Sequence, residues 1–382
     1  MQNIIKGAYV LAILGLLTLG AGSAWAKPAV SPTDAPASTK ASAAAQVPGA
    51  APAAPTSAAG PVEVAQKSDR VYRWRMVSSL SAKNPNMVRL AKMVDRIKER
   101  TRGAVTITIF PKNTLMKTPD VPKAVRGGTI EMDAIGLAFY GGVSDIAAIL
   151  APGFVGISTT DIMRMLQAGS EGRKLVDEHF AQLRIKPLVF WNQADIGFVT
   201  FAPMNTVASF KGKKLRVSNE TAALVLRALG AEPTVMGGAE AVDAMRRGII
   251  DGSTCQPTCI VSRGYLDFAK SYNPWTVVPF VGMLTINLKV WNSLPANIQK
   301  IIQEEADAAG KYNTELVATL QGETMWNLAL EKGMSLMAIA PAERAKLQAI
   351  AKPIYDDFVK NARPQPLATR AAELLLQAVK KR

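Results

Sequence analysis

The chain has 382 residues, enough for two compact domains of ordinary size. Hydrophobic residues make up 48% and charged residues 20%, and the mean hydropathy of +0.10 argues against a polytopic membrane protein. One histidine, His179, and two cysteines, Cys255 and Cys259, are too few for a histidine-rich zinc site, a four-cysteine cluster or an easily assembled Cys/His nucleophile pair. The composition therefore disfavours most metal and nucleophile chemistry.

The formal net charge is +15, from 45 Lys and Arg against 30 Asp and Glu. The basic residues are scattered along the chain, and no RNA-binding motif, zinc finger or basic zipper is present. We therefore expect no nucleic-acid partner. The charge is better interpreted as a basic surface that favours anionic ligands or an acidic partner.

The first 26 residues have the pattern of a secretory signal. Lys6 gives a positive start, residues 7–20 are apolar, and Ala24-Trp25-Ala26 fits a small-x-small cleavage site. The pattern predicts export to the periplasm with cleavage after Ala26. The alternative is an uncleaved anchor, although the apolar run is shorter than the about 20 residues that span a bilayer.

Residues 27–69 differ in composition from the rest of the chain. They are rich in Ala, Pro, Ser and Thr and almost lack large apolar residues. Such a segment buries too little surface to offset its ordering entropy, which predicts a disordered linker. The sequence leaves open whether this linker spaces a domain from a surface or has no role.

From residue 70 onward, strand and helix patterns alternate. Residues 71–77 alternate apolar and polar side chains, as in a strand. Asn84-Pro85 then opens a helix that Gly103 ends, and residues 104–110 form a second strand pattern. A strand, a helix and a strand in this order predict a βαβ unit and favour an α/β fold with parallel strands.

The same alternation continues to the end of the chain. Further strands are predicted at residues 129–134, 185–192 and 214–217. Further helices are predicted at residues 122–126, 160–183 (one helix or a pair), 221–229, 295–333, 341–362 and 368–380.

One pattern occurs twice. Residues 123–132 read KAVRGGTIEM and residues 243–252 read DAMRRGIIDG, in both cases a helix end, a glycine and a strand start. A short echo of this kind can arise by coincidence, but two similar α/β lobes would also produce it. Ligands of such folds bind between the lobes, at the carboxyl ends of strands.

Three sequence blocks within residues 211–252 carry a resemblance to a known family: KGKKLRV, ALGAEPTVM and EAVDAMRRGIIDG. ERTRGAVTITIFP precedes them, and SYNPWTVVPFVGMLTINLKVWNSLPANIQKII follows them. Over about residues 71–360, the chain resembles the substrate-binding proteins of TRAP transporters (tripartite ATP-independent periplasmic transporters), the DctP-like family.

The resemblance implies a fold of two α/β lobes joined by crossing hinge strands, with a long helix along both. Lobe I is then expected at residues 70–193 with about 282–321, and lobe II at residues 194–281 with about 322–382. The implied role is capture of a small organic anion, usually a carboxylate, for delivery to membrane permease subunits, without a cofactor or enzymatic activity. The alternatives are an extracytoplasmic sensor for a membrane signalling partner and a secreted α/β enzyme.

Arg216, in KLRV, matches the family's carboxylate-binding arginine. Its planar guanidinium suits a carboxylate; the alternative is a surface arginine in a salt bridge. The chain departs from the family twice. Many sialic-acid and dicarboxylate binders carry a second arginine where residues 195–198 here read DIGF, and the segment after Asp251-Gly252 reads STCQP. Gln256 falls near the family's usual Asn and is a candidate donor to the ligand.

The remaining candidates are residue types as common in ordinary core or loop as in pocket lining. The pocket candidates are Ser79, Phe139, Tyr140, Trp191, Asn192 and Asn219, with Ser78 and Trp275 as weaker ones. Trp275 is interpreted as a turn residue and His179 as a solvated helix residue. Cys255 and Cys259 form either a disulfide or two buried thiols, and a metal site at this pair lacks further ligands. Asp251 and Glu220 are interpreted as salt-bridging, not catalytic.

Overall fold

A computed structural model describes residues 70–330 and 333–381. The predicted signal peptide and linker lie outside these residues. The strands are β1 (Tyr72–Ser78), β2 (Val105–Phe110), β3 (Met132–Gly136), β4 (Ile185–Thr200), β5 (Lys214–Val217), β6 (Glu232–Val235), β7 (Gly252–Cys255), β8 (Ser271–Asn287) and β9 (Ser335–Leu336). The helices are α1 (Pro85–Arg100), α2 (Val121–Gly127), α3 (Asp145–Ile149), α4 (Thr159–Met165), α5 (Glu171–Gln182), α6 (Glu220–Ala228), α7 (Gly238–Arg246), α8 (Pro257–Ser262), α9 (Leu288–Asn292), α10 (Ala296–Leu330), α11 (Pro341–Asn361) and α12 (Gln365–Lys380).

The first βαβ unit forms as predicted. In β1, Tyr72, Trp74 and Met76 are buried while the residues between them are exposed. The Asn84 side chain caps α1 by accepting a hydrogen bond from the Asn86 N–H at 3.0 Å, which satisfies one free donor at the helix start. β1 and β2 are parallel, as the βαβ unit requires.

All nine strands belong to one mixed sheet, in which two parallel groups share two long strands. β1 pairs in parallel with β2 and β3, and β5 pairs in parallel with β6 and β7. β4 and β8 are antiparallel to each other. β3 joins the second half of β8, while β7 joins the second half of β4. β4 and β8 therefore cross from one parallel group to the other, which confirms the predicted crossing strands.

The prediction that the strand starting at residue 185 stops at residue 192 was wrong. β4 continues to Thr200 after its register with β8 shifts between Asn192 and Asp195. Ala194 adopts a left-handed backbone there, with φ +70°, and Thr276 does so in β8, with φ +55°. The irregularity interrupts the alternation of buried and exposed side chains, so the sequence pattern did not predict the second half of the strand. Trp275 consequently lies inside β8 and not in a turn.

The repeated ten-residue pattern corresponds to a repeated structure. α2 leads into β3, and α7 leads into β7. Gly128 and Gly248 hold equivalent places in the two turns and both have left-handed backbones, with φ of +76° and +70°. This conformation favours glycine. Ile130 and Ile250, which follow at equivalent places, are both buried.

The predicted long helix is α10, whose 35 residues correspond to a length of about 52 Å. It packs on β4, where a Cβ at Gly310 would lie only 2.3 Å from Val189 Cγ2. It also contacts α1 through ion pairs that join the buried Arg100 and the more exposed Arg96 to the buried Glu305.

The last two helices contact different parts of the molecule. α12 packs against α3, α4 and α5, which belong to the segment predicted as lobe I, whereas α11 packs against α12 and α6. The lobe boundaries given above remain a prediction. No helix in the described part of the chain is both long and apolar enough to cross a membrane.

Candidate ligand-binding site

A narrow cavity lies at the carboxyl ends of strands from both parallel groups. This is where α/β sheets bind ligands. Residues after β1 and β3 contribute Ser79, Leu80 and Phe139 to its wall, and the crossing strands contribute Ile196 and Phe280. The opposite wall consists of Arg216, Ser218, Gly238, Thr254, Gln256, Cys259 and Arg263.

Arg216 lies on β5 and is only 4% exposed. Its Nε and Nη2 donate to the Met236 carbonyl at 2.9 and 2.7 Å, and its Nη1 donates to the carbonyl and hydroxyl oxygens of Thr254 at 3.0 Å each. All these acceptors are neutral, and Arg216 forms no ion pair within the described residues. Burial lowers the pKa of Arg216 to about 10, so the guanidinium stays charged at neutral pH. A buried positive charge thus lines the cavity without a counter-ion.

Arg263 is a second cation in the same cavity. It follows α8 and is partly buried, and its Nη2 donates to the Ser79 carbonyl across the cavity at 3.0 Å. Burial lowers its pKa. Like Arg216, Arg263 forms no ion pair within the described residues.

The turn between β7 and α8 holds Gln256. Cys255 and Cys259 flank this residue and form a disulfide, with their Cα atoms 5.8 Å apart. The sequence left open whether these cysteines form a disulfide or two buried thiols, and the structure shows the disulfide. Gln256 is buried at the start of α8, and within the described residues its amide forms no hydrogen bond. The amide is therefore available to a ligand.

Serines and aromatic rings complete the cavity. Ser218 Oγ is buried and has no hydrogen-bond partner in the part of the chain that the structure describes. Ser79 faces the cavity, whereas Ser78 Oγ donates to the Ala134 carbonyl. Phe139 meets Phe280 edge to face, with ring centroids 6.3 Å apart. The wall thus offers both a polar group without a partner and an apolar surface.

Asn219 lies beside the cavity and does not line it. Its Oδ1 caps α6 by accepting from the Ala222 N–H at 3.2 Å, and its Nδ2 donates to the Ala151 carbonyl at 2.8 Å. It faces an adjoining cavity that also touches Phe139 and Ser218. Both polar ends of its side chain are therefore occupied by the fold.

Three predicted pocket residues lie elsewhere: the core takes the side chains of two, and the third bonds to the backbone of its own strand. Tyr140 is fully buried, and its hydroxyl hydrogen-bonds to Asp133 at 2.5 Å and Thr285 at 2.9 Å. Trp191 packs against Gly282, at which a Cβ would lie 2.1 Å from the indole ring. Asn192 Oδ1 accepts from the Ala194 N–H at 2.7 Å and shapes the β4 irregularity.

Other residues singled out in the sequence serve the fold. His179 is buried and not solvated: one ring nitrogen bonds to Ser144 Oγ at 2.8 Å, and burial lowers its pKa. Trp275 donates from Nε1 to the Met204 carbonyl. Glu220 pairs with Arg227, and Asp251 accepts from the Lys214 N–H, so neither faces the cavity.

Sequence reasoning missed Arg263, Ser218 and Gly238. Arg263 directly follows the short helix α8, Ser218 directly follows β5, and Gly238 is the first residue of α7, so no periodicity marks them. Tertiary structure alone brings them together. The position where a second arginine was sought is filled by Ile196, while the second cation comes from the other side of the disulfide turn.

The cavity has the chemistry of an anion site. Two guanidinium groups, an amide and a hydroxyl converge there, while Ile196, Phe139 and Phe280 provide apolar walls. Across residues 70–330 and 333–381, no group of three or more His, Cys, Asp or Glu side chains is placed to hold a metal ion.

Comparisons with known proteins agree with this geometry. A sequence profile of the bacterial extracellular solute-binding proteins of family 7 (DctP) matches residues 76–361. The chain is 26% identical over 282 residues to the 2,3-diketo-L-gulonate-binding periplasmic protein YiaO of Escherichia coli, covering 71% of this chain and 82% of that protein. It is 23% identical to the C4-dicarboxylate-binding periplasmic protein DctP of Rhodobacter capsulatus, covering 73% of this chain and 84% of that protein.

Solved structures share the fold. The Bordetella pertussis extracytoplasmic solute receptor DctP7, which binds pyroglutamic acid, superposes with a TM-score of 0.73 at 22% identity, covering 81% of this chain and all of that one. A TRAP periplasmic solute-binding protein from Roseobacter denitrificans with bound β-D-glucuronate has a TM-score of 0.72 at 24% identity, covering 79% of this chain and 98% of that one.

Proposed function

Because the chain belongs to the bacterial extracellular solute-binding proteins of family 7, we propose that it is the solute receptor of a TRAP-type transporter. It binds a small organic acid between its two lobes and delivers the acid to membrane permease subunits. Relatives named for C4-dicarboxylate and 2,3-diketo-L-gulonate binding, and structures with bound pyroglutamate and glucuronate, support an organic acid as the ligand. Family 7 consists of receptors, and this role needs no catalytic group.

One observation carries the proposal: Arg216 is a buried guanidinium with only neutral partners. A buried charge is costly unless an opposite charge accompanies it. A carboxylate in the cavity supplies that charge, and the water-poor surroundings strengthen the attraction. The bound acid therefore contributes the missing half of an ion pair.

The other cavity residues orient the ligand in this proposal. The Gln256 amide and the Ser218 hydroxyl bond to its oxygen atoms, and Ser79 lies on the opposite lobe. Phe139 and Phe280 cover its carbon skeleton. Asn219 holds the start of α6 next to the cavity and shapes the site without contacting the ligand.

Delivery requires export and a change of shape. We propose that the signal peptide is cleaved after Ala26 and that the lobes close about the crossing strands. Ala194 and Thr276 mark the irregular midpoints of β4 and β8, and changes at a few such residues are enough for hinge closure. The ligand favours the closed state because only that state lets it contact both lobes.

A thermal-shift screen of the mature protein against small organic acids tests the proposal. A bound acid should raise the melting temperature, and the rise should grow with the logarithm of the ratio of acid concentration to Kd, whereas the matching neutral amides should not raise it. Small-angle scattering at saturation should show a smaller radius of gyration. If no acid in a broad panel raises the melting temperature, or if the neutral amides raise it equally, the proposed function is wrong.

A further inference from the structure

We propose that Arg263 is a second ligand-binding cation, and that it makes the site prefer a compact dicarboxylate to a monocarboxylate. The inference rests on the proposed function and names the charge of its ligand. It assigns a role to a residue outside the KLRV motif, on the far side of the disulfide turn.

The charge balance of the cavity is the first argument. Arg216 and Arg263 both line it, and neither has an acidic partner among the described residues. The acid that acts electrostatically on Arg216 is Glu240, which pairs with Lys117 at 3.5 Å outside this cavity. A monocarboxylate would leave one cation without a counter-charge in the closed site, whereas a dicarboxylate would neutralise both.

The distribution of hydrogen-bond donors is the second argument. All three nitrogens of the Arg216 guanidinium already donate to Met236 or Thr254. Within the described residues, Arg263 forms a single hydrogen bond, from Nη2 to Ser79. Because a guanidinium has five N–H donors, Arg263 keeps most of its donors for a ligand. Its planar fork suits a carboxylate oxygen pair.

The third argument is the close contact between Gly238 and the Arg263 side chain. A Cβ at Gly238 would lie 1.5 Å from Arg263 Nη1 and 2.6 Å from its Cζ. Only a residue without a side chain lets the guanidinium lie in the cavity as it does. Gly238→Ala should therefore displace Arg263 from the site while leaving the arginine in the chain.

The test compares acids of equal shape and different charge. Malonate, succinate and glutarate are each titrated calorimetrically into the wild-type protein beside their monoamides, in which one carboxylate is replaced by a neutral group. We expect at least one diacid to bind roughly 10-fold or more tightly than its monoamide. The ratio of the two affinities is the readout.

Variants then assign the preference to Arg263. In Arg263→Met, affinity for the diacid should fall roughly 30-fold, while affinity for the monoamide should change only a few-fold, so that the ratio approaches one. Gly238→Ala should reduce the ratio in the same direction, and the double variant should add little to Arg263→Met. Arg247→Met, which removes an exposed arginine outside the cavity, should leave the ratio unchanged.

The outcomes separate the two proposals. If diacids and monoamides bind equally to the wild type, or if Arg263→Met keeps the wild-type ratio, Arg263 is not a ligand cation although the protein remains an acid receptor. A loss of the Ser79 contact alone would weaken both ligands equally and would also overturn the inference. If no acid of either charge binds, the proposed function itself fails.

Discussion

Two buried arginines of this protein have opposite surroundings. Arg100, between α1 and α10, donates to Glu305 at 3.0 Å and to Glu304 at 2.6 Å. Burial alone would lower its pKa, but hydrogen bonds to Glu304 and Glu305 raise it overall. Arg216, in the cavity, meets only carbonyl and hydroxyl oxygens, and burial lowers its pKa to about 10. One charge is balanced within the fold and the other is not.

The difference separates a structural site from a binding site. An ion pair within the fold makes each partner necessary for the other, since removal of one leaves a buried charge. A cation balanced only by neutral dipoles keeps part of its attraction for an external anion. Mutations at the two arginines should therefore affect different measurements.

The largest effect is expected for Arg100→Met, which should lower the free energy of unfolding by about 2–3 kcal/mol, because the buried Glu305 is left with the half-exposed Arg96 and Glu304 loses its bond to Arg100. Urea denaturation at pH 7 measures it. Lys98→Met, at an exposed position of the same helix, should change stability by less than about 0.5 kcal/mol. Ligand affinity should be unchanged in both variants. An unfolding energy close to wild type in Arg100→Met would show that this ion pair does not support the fold.

Arg216→Met should show the reverse. Affinity for the acid found in the screen should fall roughly 30-fold or more, because its carboxylate loses the buried cation. Stability without ligand should fall less than in Arg100→Met, since relief of the uncompensated charge offsets the hydrogen bonds lost from Met236 and Thr254. Arg216→Lys should recover only part of the affinity. Calorimetric titration and urea denaturation of the same samples test both halves.

The sequence predicted the fold better than the site because periodicity is a local signal. β1 and α1 show it clearly, α10 was predicted from a long stretch with few helix-breaking residues, and the boundaries of all three agree closely with the predictions. β4 was predicted only to residue 192 because Ala194 interrupts the alternation, although the strand resumes. Regular elements are thus recoverable from the chain alone, and irregular ones in the middle of strands are not.

The site depends on loop ends that meet only in three dimensions. Arg216 and Gln256 were found because a motif marks their positions, and both line the cavity. Tyr140 and Trp191 looked like pocket residues, but the core takes their side chains. No motif or periodicity in the sequence around Arg263 indicates that it lines the cavity. Its place depends on the disulfide turn and on the missing side chain at Gly238.

The Cys255–Cys259 disulfide supports one wall of the cavity by a covalent bond, whereas ion pairs support the interface between α1 and α10. In the double variant Cys255→Ala/Cys259→Ala, the free energy of unfolding should fall by about 2 kcal/mol, as expected for a short closed loop. Ligand affinity should fall several-fold, because Gln256 lies inside that loop. Serine replacement of both residues is the matched control for side-chain polarity. Unchanged affinity in both double variants would show that the fold holds the turn without the link.

Asp133 is a third kind of buried ionisable group: it forms no ion pair within the described residues and does not line the cavity. It is fully buried, and its Oδ2 accepts hydrogen bonds from Tyr140 at 2.5 Å and Thr285 at 2.6 Å. Burial raises its pKa from 3.8 to about 7, because it outweighs the hydrogen bonds from Thr285, Tyr140 and the Ile135 backbone that favour the charged form. The folded protein thus holds a proton on Asp133 over a range of pH in which the unfolded chain has lost it.

The sign of the resulting pH dependence follows from proton linkage. Between about pH 4 and pH 7 the folded state binds more protons at this residue, so its contribution to the free energy of unfolding falls as the pH rises and levels off above pH 7. Asp133→Asn keeps an acceptor for Tyr140 and Thr285 but has no charge to bury. The variant should therefore be more stable than wild type by about 1–2 kcal/mol at pH 8 and should lose this advantage at pH 5. Urea denaturation of both proteins at the two pH values measures the difference. A stability gap between the two proteins that is the same at pH 5 and pH 8 would mean that Asp133 stays ionised in the folded state and that its hydrogen bonds compensate its burial.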